Sequence, residues 1–254
     1  MNQTTLPATS GEPDAAPTRI DVVAFDGDDT LWHSEGHYVD AHERYCDLLA
    51  PYVNGDAAAV GERVDATERA NLAIYGYGVK AFTLSLIETA IEVTKGRVTA
   101  KEIATILELG KSLLNHPIEL LDGVDGVTAE LAATGRRLIV VTKGDLFHQE
   151  AKLAGSGLAD RFARVEIVSE KNVPTYRRVM ADAQVAPQRF LMIGNSLRSD
   201  VLPVVELGGH AVHLPYRYTW AHEEVADADA ARDGYHEISS IRELPGLVEQ
   251  LSRP

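Results

Sequence analysis

Two aspartates, Asp26 and Asp28, stand at the end of a short apolar run and are separated only by Gly27. A carboxylate can attack phosphorus and form an acyl phosphate as a covalent intermediate. A second carboxylate two residues on can protonate the leaving alkoxide and then deprotonate the attacking water. Gly27 permits close approach of the backbone to a ligand. The pair therefore predicts a nucleophile at Asp26 and a general acid and base at Asp28.

Later apolar runs lead into polar residues of complementary kinds, which are Thr142, Lys143, Lys171, Asn195 and Asp200. Attack on a phosphate ester brings several negative groups together, so the site needs compensating cations. A lysine and a hydroxyl can neutralise and orient the equatorial oxygens of the transferring group, where most of the catalytic benefit arises. These residue types predict phosphate binding by Thr142, Lys143 and Lys171, and metal-binding oxygens at Asn195 and Asp200.

The elements that must position these residues are apolar runs alternating with helical patterns, and the runs are 20–25, 138–141, 165–168, 190–193 and 211–214. Strands that alternate with helices indicate parallel pairing in a layered α/β architecture. We therefore predict an α/β fold with a doubly wound, Rossmann-like parallel sheet. Such folds place their sites at the carboxyl ends of the strands, which is where the polar residues fall.

Residues 36–118 break this alternation and contain four helical patterns, at 38–53, 57–75, 80–95 and 99–114. Several helices inserted after the first strand predict a separate helical cap, and lids of this kind exclude water and select substrates. The core is then formed by residues 19–35 and 119–254. Residues 1–18 are rich in Pro, Thr, Ser, Gly and Ala without periodicity, which predicts a disordered tail.

The composition limits which classes of binding partner and which cellular compartment we expect for the protein. Lys and Arg total 24 against 38 Asp and Glu, so the formal net charge is -14. An acidic surface repels nucleic-acid phosphates and anionic membranes, which argues against both as partners. Cys46 is the only cysteine, which suits a reducing compartment. No signal-peptide pattern or long apolar run is present. We expect a cytoplasmic protein, and the sequence leaves its oligomeric state open.

Four segments resemble, in order, the motifs of the haloacid dehalogenase-like (HAD) hydrolase superfamily. Segment 26–30 resembles motif I, Thr142 within 140–144 resembles motif II, Lys171 resembles the motif III lysine, and segment 194–200 resembles the acidic motif IV. The helical insertion resembles the C1-type cap of that family. The resemblance implies a Mg²⁺-dependent phosphatase that acts on a small phosphorylated metabolite through an aspartyl-phosphate at Asp26.

The resemblance also implies a metal site formed by the Asp26 side chain, the Asp28 backbone carbonyl and motif IV. Motif IV commonly begins with aspartate after its glycine, whereas Asn195 stands here. An amide oxygen still coordinates a hard cation, but one negative charge is lost. Asp200 then becomes the charged candidate ligand, directly or through water, beside Asn195.

Three other functions fit parts of the pattern. A haloacid dehalogenase also uses an aspartate nucleophile, but that chemistry needs neither Mg²⁺ nor a second carboxylate such as Asp28. A phosphomutase would return the phosphoryl group to substrate. A non-enzymatic phospho-acceptor module also combines acidic residues, a hydroxyl and a lysine. Its phosphorylated aspartate follows the third strand, however, and the large insertion has no role in it.

Overall fold

The structure of the protein is a computed structural model that describes residues 19–218 and 233–252. The tail predicted at residues 1–18 lies outside the described residues. Within the two described ranges, no helix combines the length and the apolar character needed to cross a lipid bilayer.

A parallel sheet of six strands forms the centre of the described fold. The strands are β1 (Val22–Phe25), β2 (Arg137–Lys143), β3 (Arg164–Val168), β4 (Phe190–Gly194), β5 (His210–His213) and β6 (Tyr235–Glu237). They lie in the order β3-β2-β1-β4-β5-β6, and every neighbouring pair is parallel. The predicted doubly wound α/β fold is confirmed. The apolar runs predict five of these strands, and β6 is a further short strand at the edge.

The helices are α1 (Glu35–Leu49), α2 (Ala57–Tyr75), α3 (Val79–Val93), α4 (Ala100–Leu114), α5 (Val124–Ala133), α6 (Leu146–Gly155), α7 (Val173–Asp182), α8 (Leu202–Glu206) and α9 (Leu244–Gln250). Successive strand residues point to opposite faces of the sheet. Val23 and Phe25 therefore pack in one core with α5 and α9. Val22 and Ala24 pack in a second core with α7 and α8. The continuous apolar strands are what a sheet covered on both faces requires.

Helices α1 to α4 form an inserted layer with a core of its own, in which the buried residues lie between Ala41 and Leu113. The last of these helices begins at a reciprocal cap. The Thr99 hydroxyl accepts a hydrogen bond from the Glu102 amide, and the Glu102 carboxylate accepts one from the Thr99 amide, which satisfies two amides at the helix start. The pattern predicts the first helix over 38–53, whereas α1 ends at Leu49 and a 3₁₀ turn with proline follows, since proline lacks an amide donor.

Candidate active site

The strand order creates a crevice beside β1. From β1 the chain runs outward through β2 and β3 and then returns to β4 on the other side of β1. Such a reversal is a topological switch point, and open α/β sheets bind ligands in the crevice there. Because β1 is in parallel register with both β2 and β4, Asp26, Thr142 and Asn195 emerge at one edge of the sheet. The fold thus gathers residues that are far apart in the sequence.

A cavity of about 340 Å³ lies at this edge, between the sheet and the inserted helices. All of the residues that the sequence predicts for the site line it, and these are Asp26, Asp28, Thr142, Lys143, Lys171, Asn195 and Asp200. Residues of α1, α2 and α3 close the cavity on its other side. The geometry therefore places the predicted nucleophile, cations and metal-binding oxygens in one enclosed space.

Lys171 bridges two buried carboxylates at the centre of this space. Its Nζ donates a short hydrogen bond to Asp26 Oδ1 and another, of 2.7 Å, to Asp200 Oδ1. The Lys171 side chain is 2% exposed and that of Asp200 is 1% exposed. The Ser196 amide donates to the other oxygen of Asp200 at 3.1 Å. Asp200 thus holds the Lys171 ammonium beside Asp26.

Charge in this cluster does not balance, because two carboxylates share one ammonium. Burial raises the pKa of Asp26 to about 7, although Lys171 opposes the shift and Asp200 adds to it. Burial also disfavours the charge on Lys171, but Asp200 and Asp26 outweigh it and hold the pKa of Lys171 above its ordinary value. The cluster therefore carries excess negative charge that a cation from outside the chain would stabilise.

Asp28 lies beside the nucleophile and is held by three donors that the sequence analysis missed. Lys152 Nζ donates to Asp28 Oδ1 at 2.7 Å, and Trp32 Nε1 donates to the same oxygen at 2.6 Å. Gln149 Nε2 donates to Asp28 Oδ2 at 3.0 Å. Lys152 is 6% exposed and also reaches Ser34 Oγ at 3.3 Å. A second ion pair, between the buried Lys152 and the partly exposed Asp28, therefore adjoins the Asp26–Lys171 pair.

This second pair keeps Asp28 ionised. Burial alone raises the pKa of Asp28, but Lys152, aided by hydrogen bonds from Gln149 and Trp32, holds that pKa below its ordinary value of 3.8. The two carboxylates of the motif therefore differ in environment. Asp26 and Asp200 both pair with Lys171, whereas Asp28 pairs with Lys152. Pairs of acids whose environments move their pKa values in opposite directions are typical of catalytic sites.

Replacing Lys152 by methionine is expected to destabilise the protein by about 2 kcal/mol at neutral pH, because Asp28, whose side chain is 30% exposed, loses its cation. The lowered pKa of Asp28 contributes stability above the ordinary value of 3.8, and this contribution is lost as the pH falls below that value. The difference in stability between variant and wild type is therefore expected to shrink below about pH 3.8. Urea unfolding at about pH 7.5 and about pH 3 measures both effects.

The matched control is Lys111→Met, because Lys111 pairs with Glu108 at the surface at 2.6 Å. An exposed pair of this kind contributes less than about 1 kcal/mol. A loss for Lys152→Met no larger than that of the control, or an equal loss at both pH values, would contradict a stabilising ion pair at Asp28.

The phosphate-binding candidates lie next to the nucleophile loop. A Cβ atom built on Gly27 would lie 3.3 Å from Thr142 Oγ1, which places the threonine hydroxyl beside the loop between Asp26 and Asp28. Lys143 Nζ donates to Ser199 Oγ at 3.0 Å and lies 4.3 Å from the centre of the Tyr77 ring. Lys143 therefore contacts Tyr77, which lies in the turn between α2 and α3.

The motif IV segment departs from a regular helix. The sequence predicts a helix over 200–207, whereas the structure has a π-helical turn at Leu197–Val201 followed by α8. Such turns are frequent at functional sites. A Cβ atom built on Gly194 would lie 2.2 Å from Asp200 Oδ2, so the carboxylate packs against the end of β4. Asn195 lines the cavity, and both motif IV candidates therefore lie near Asp26.

Asp29 has a structural role at the start of α1. It adopts a positive φ of 61°, which aspartate tolerates better than most residues. Its carboxylate accepts hydrogen bonds from the amides of Ser34 at 2.9 Å and Glu35 at 3.0 Å, so it caps the start of α1. The loop that carries Asp26 is therefore tied directly to the first inserted helix.

The turn between α2 and α3 closes over the sheet. Tyr77 donates to Glu170 at 2.8 Å, and Lys80 donates to Asp145 at 2.9 Å. A Cβ atom on Gly78 would lie 3.1 Å from the Asp145 backbone nitrogen, so the two backbones pass close together. Asp145 also caps α6 by accepting a hydrogen bond from the His148 amide. These contacts join the inserted helices to the core at the mouth of the cavity.

Comparison with known proteins identifies the family. A family model described as haloacid dehalogenase-like hydrolase matches residues 20–208 of the 254-residue chain. The solved structure of a haloacid dehalogenase-like family hydrolase from Xanthomonas campestris is 40% identical, with 95% of each chain covered and a TM-score of 0.81. Comparison with curated proteins gave no significant match.

Two more distant solved structures share the fold. A 2-haloacid dehalogenase from Pseudomonas syringae pv. tomato is 20% identical, with 91% of this chain and 99% of that chain covered and a TM-score of 0.59. The putative HAD-hydrolase YfnB from Bacillus subtilis, bound to magnesium, is 17% identical, with the same coverage and a TM-score of 0.61. With the family model and the Xanthomonas structure, the resemblance in the four motifs is confirmed. The chain belongs to the haloacid dehalogenase-like hydrolases.

Proposed function

We propose that the protein is a Mg²⁺-dependent phosphatase that hydrolyses a small phosphorylated metabolite through a phosphoryl group carried on Asp26. The observation that carries this proposal is the second carboxylate, Asp28, which lines the same cavity as Asp26 and forms an ion pair there with the buried Lys152. Hydrolysis of a carbon–halogen bond expels a stable halide and needs no proton donor at the leaving group. Release of an alkoxide from a phosphate ester does need a proton donor at the leaving oxygen.

The residues of the cavity fit a magnesium ion. Asp26 and Asp200 are both within hydrogen-bond reach of Lys171, so their carboxylates lie close together with an excess of negative charge. The donors at hand are oxygens, which are the ligands that Mg²⁺ prefers. Asp26, the Asp28 carbonyl, Asn195 and Asp200 would hold the ion. When bound, it supplies positive charge to a phosphoryl oxygen.

The first half of the reaction uses Asp26 as nucleophile. An Asp26 carboxylate oxygen forms a bond to phosphorus while the bond from phosphorus to the ester oxygen breaks. Lys171 and the Thr142 hydroxyl neutralise and orient the equatorial oxygens. The leaving alkoxide takes its proton from the Asp28–Lys152 pair, in which the protonated Lys152 Nζ lies 2.7 Å from Asp28 Oδ1.

The second half returns that proton. Water attacks phosphorus, the bond between phosphorus and Asp26 breaks, and inorganic phosphate leaves. Asp28 is ionised in the resting site, since Lys152 lowers its pKa, and it is therefore a base ready to take the proton of the water and restore the pair. We propose that residues 36–118 act as the cap that excludes other water and selects the alcohol part of the substrate.

Phosphate release is expected to depend on Mg²⁺. The metal-free protein, prepared with a chelator, is expected to hydrolyse p-nitrophenyl phosphate at least about 100-fold more slowly than the Mg²⁺-loaded protein, because the charge on the phosphoryl oxygens is then uncompensated. Phosphate release is measured in parallel with chloride release from chloropropionate. Chloride release without Mg²⁺, with no phosphate released, would establish the dehalogenase reaction instead. Transfer of the phosphoryl group to a second hydroxyl of the substrate would indicate a phosphomutase.

A further inference from the structure

The side of the cavity formed by the inserted helices is acidic. Glu35 on α1 and Asp65 and Glu68 on α2 line it, whereas the inserted helices contribute no lysine or arginine to the described lining. Asp65 and Glu68 are three residues apart, so they share one face of α2. A phosphatase cavity that turns carboxylates towards an anionic substrate is electrostatically unfavourable unless the substrate also carries positive charge.

Two of these carboxylates have no partner among the described residues. No described residue donates a hydrogen bond to Glu35 or Glu68, and neither forms an ion pair there. Burial and the neighbouring acids raise the pKa of each to about 7, although Arg69 opposes the shift at Glu68. Among the described residues, Asp65 pairs with His42, at 3.7 Å. The nearby cation Lys152 is already bound to Asp28 and Ser34. Negative charge therefore exceeds positive charge on this side of the cavity.

A buried acceptor next to this side independently indicates a ligand with hydrogen-bond donors. Gln149 is 4% exposed and lines the cavity. Its Nε2 donates to Asp28 Oδ2 at 3.0 Å and to the Lys143 carbonyl at 2.7 Å, and these two acceptors fix the orientation of the amide. The Oε1 atom is buried and has no hydrogen-bond partner among the residues that the structure describes. Because an unpaired buried acceptor is costly, it is suited to an N–H or O–H donor of a bound molecule.

The aromatic residues of the same side suit a cationic carbon skeleton. Tyr38 lines the cavity and contacts the edge of Phe82, with ring centres 5.2 Å apart. The charges that act on the Tyr38 hydroxyl include those of Asp28, Glu35 and Glu68, so its ring lies among the carboxylates. Aromatic faces attract ammonium groups, and more strongly when the site is desolvated. A primary or substituted amine would contact the rings and carboxylates at once.

A second metal ion is a poorer match for this side of the cavity. Glu35 lies on α1 and Glu68 on α2, and both line the cavity beside Tyr38 and Phe82. Spread carboxylates with aromatic neighbours match an organic cation better than a compact metal site.

We infer that the substrate of the proposed phosphatase reaction is a phosphate monoester of an amino alcohol or amino sugar, whose protonated amine is bound by Glu35 and Glu68 while its phosphoryl group meets Asp26. This inference rests on the proposed function. Gln149 Oε1 accepts one further N–H or O–H of the same molecule. Selectivity arises because the carboxylates attract the amine and repel phosphate esters that lack one.

The test compares matched esters that differ only in the distal group. Aminoethyl and aminobutyl phosphate are compared with hydroxyethyl and hydroxybutyl phosphate by kcat/KM in Mg²⁺ at about pH 8, where the carboxylates are ionised and the amine is protonated. The wild type is expected to prefer the amine of at least one chain length by about 20-fold or more. Glu35→Gln and Glu68→Gln are each expected to lower that ratio at least about fivefold.

The matched control is Glu62→Gln, because Glu62 is an exposed residue of α2 that does not line the cavity. It is expected to keep the wild-type ratio. Equal kcat/KM for amine and hydroxyl esters, or a preference that survives both substitutions, would overturn the inference.

Mg²⁺-dependent turnover of p-nitrophenyl phosphate, which has no amine, separates the inference from the proposed function. If it persists without amine preference, only the inference fails. If no phosphate ester is hydrolysed, the proposed function fails and the inference with it.

Discussion

Replacing Asp26 by asparagine is expected to lower kcat for phosphate-ester hydrolysis by at least about 10⁴-fold, the scale seen when a nucleophile is removed. The amide keeps the size of the side chain but cannot attack phosphorus. Its Oδ1 can still accept the hydrogen bond from Lys171, so the fold is expected to persist. Steady-state phosphate release in Mg²⁺, together with circular dichroism and thermal unfolding, measures the effect on a folded protein.

The control for this variant is Asp122→Asn, because the Asp122 side chain is 89% exposed and pairs with Arg242 at the surface. It is expected to keep kcat within about twofold of wild type, as remote surface substitutions usually do. A folded Asp26→Asn protein with kcat within tenfold of wild type would remove Asp26 from the mechanism.

Replacing Lys171 by methionine is expected to combine a kinetic and a thermodynamic loss. We expect kcat to fall by about 10³-fold, because the fixed cation beside the phosphoryl oxygens is lost. We also expect the free energy of unfolding to fall by about 3 to 5 kcal/mol at about pH 8, because Asp26 and Asp200 are left buried without their ammonium. Urea unfolding and phosphate release measure the two effects separately.

The pH dependence of this loss has a definite sign. The pKa of Asp26 is already raised to about 7 by burial, and removal of Lys171 raises it further. A carboxyl group with a raised folded-state pKa favours folding at low pH, and that contribution is lost as the pH rises. The variant is therefore expected to approach wild-type stability near about pH 5 and to lose most above about pH 7.

Lys143→Met is the matched control, since Lys143 contacts Ser199 and the Tyr77 ring rather than a buried carboxylate. Its expected loss is about 1 kcal/mol, with little dependence on pH. A pH-independent loss for Lys171→Met, or one equal to that of Lys143→Met, would contradict a cation shared by two buried acids.

The fold was predictable because its strands are buried on both faces. Continuous apolar runs are then required, and they stand out against the amphipathic helices between them. The edge strand β6, Tyr235–Glu237, has no such run, since its residues are intermediate or exposed. Pairing with β5 defines it, and pairing is a tertiary property. The end of α1 has a local cause instead, because Pro51 lies in a 3₁₀ turn that replaces the last predicted turn of the helix.

The candidate site was predictable as far as it lies on loops after strands. Asp26 and Asn195 directly follow strands and Thr142 is the penultimate residue of β2, and parallel sheets expose their sites at these strand ends. Lys152 and Gln149 lie within α6. A single sequence predicts that these residues are helical, but it does not show whether their side chains face the site or the solvent. The one available signal is an inverted pattern in α6. Its apolar residues Leu146 and Phe147 are 60% and 76% exposed, whereas Gln149 and Lys152 are buried. Such a helix turns its polar face inward, towards a site.

The core and the inserted helices contribute different residues to the cavity. On the proposed function, Asp26, Lys171 and Asp200 of the core would act on the reacting atoms of any phosphate ester. The inserted helices supply Glu35 and Glu68, which line the far side of the cavity. If selection resides there, as we propose, substitutions in the inserted helices are expected to change kcat/KM ratios between substrates.

The most direct measurement is chemical trapping of the intermediate. The Mg²⁺-loaded protein is mixed with a phosphate ester, quenched during turnover and reduced with borohydride, which converts an acyl phosphate on aspartate into homoserine. Peptide mass spectrometry then locates the modified residue. We expect homoserine at position 26, only when both ester and Mg²⁺ are present. Reacting enzyme with an unmodified Asp26, or with the modification at another residue, would contradict phosphoryl transfer to Asp26.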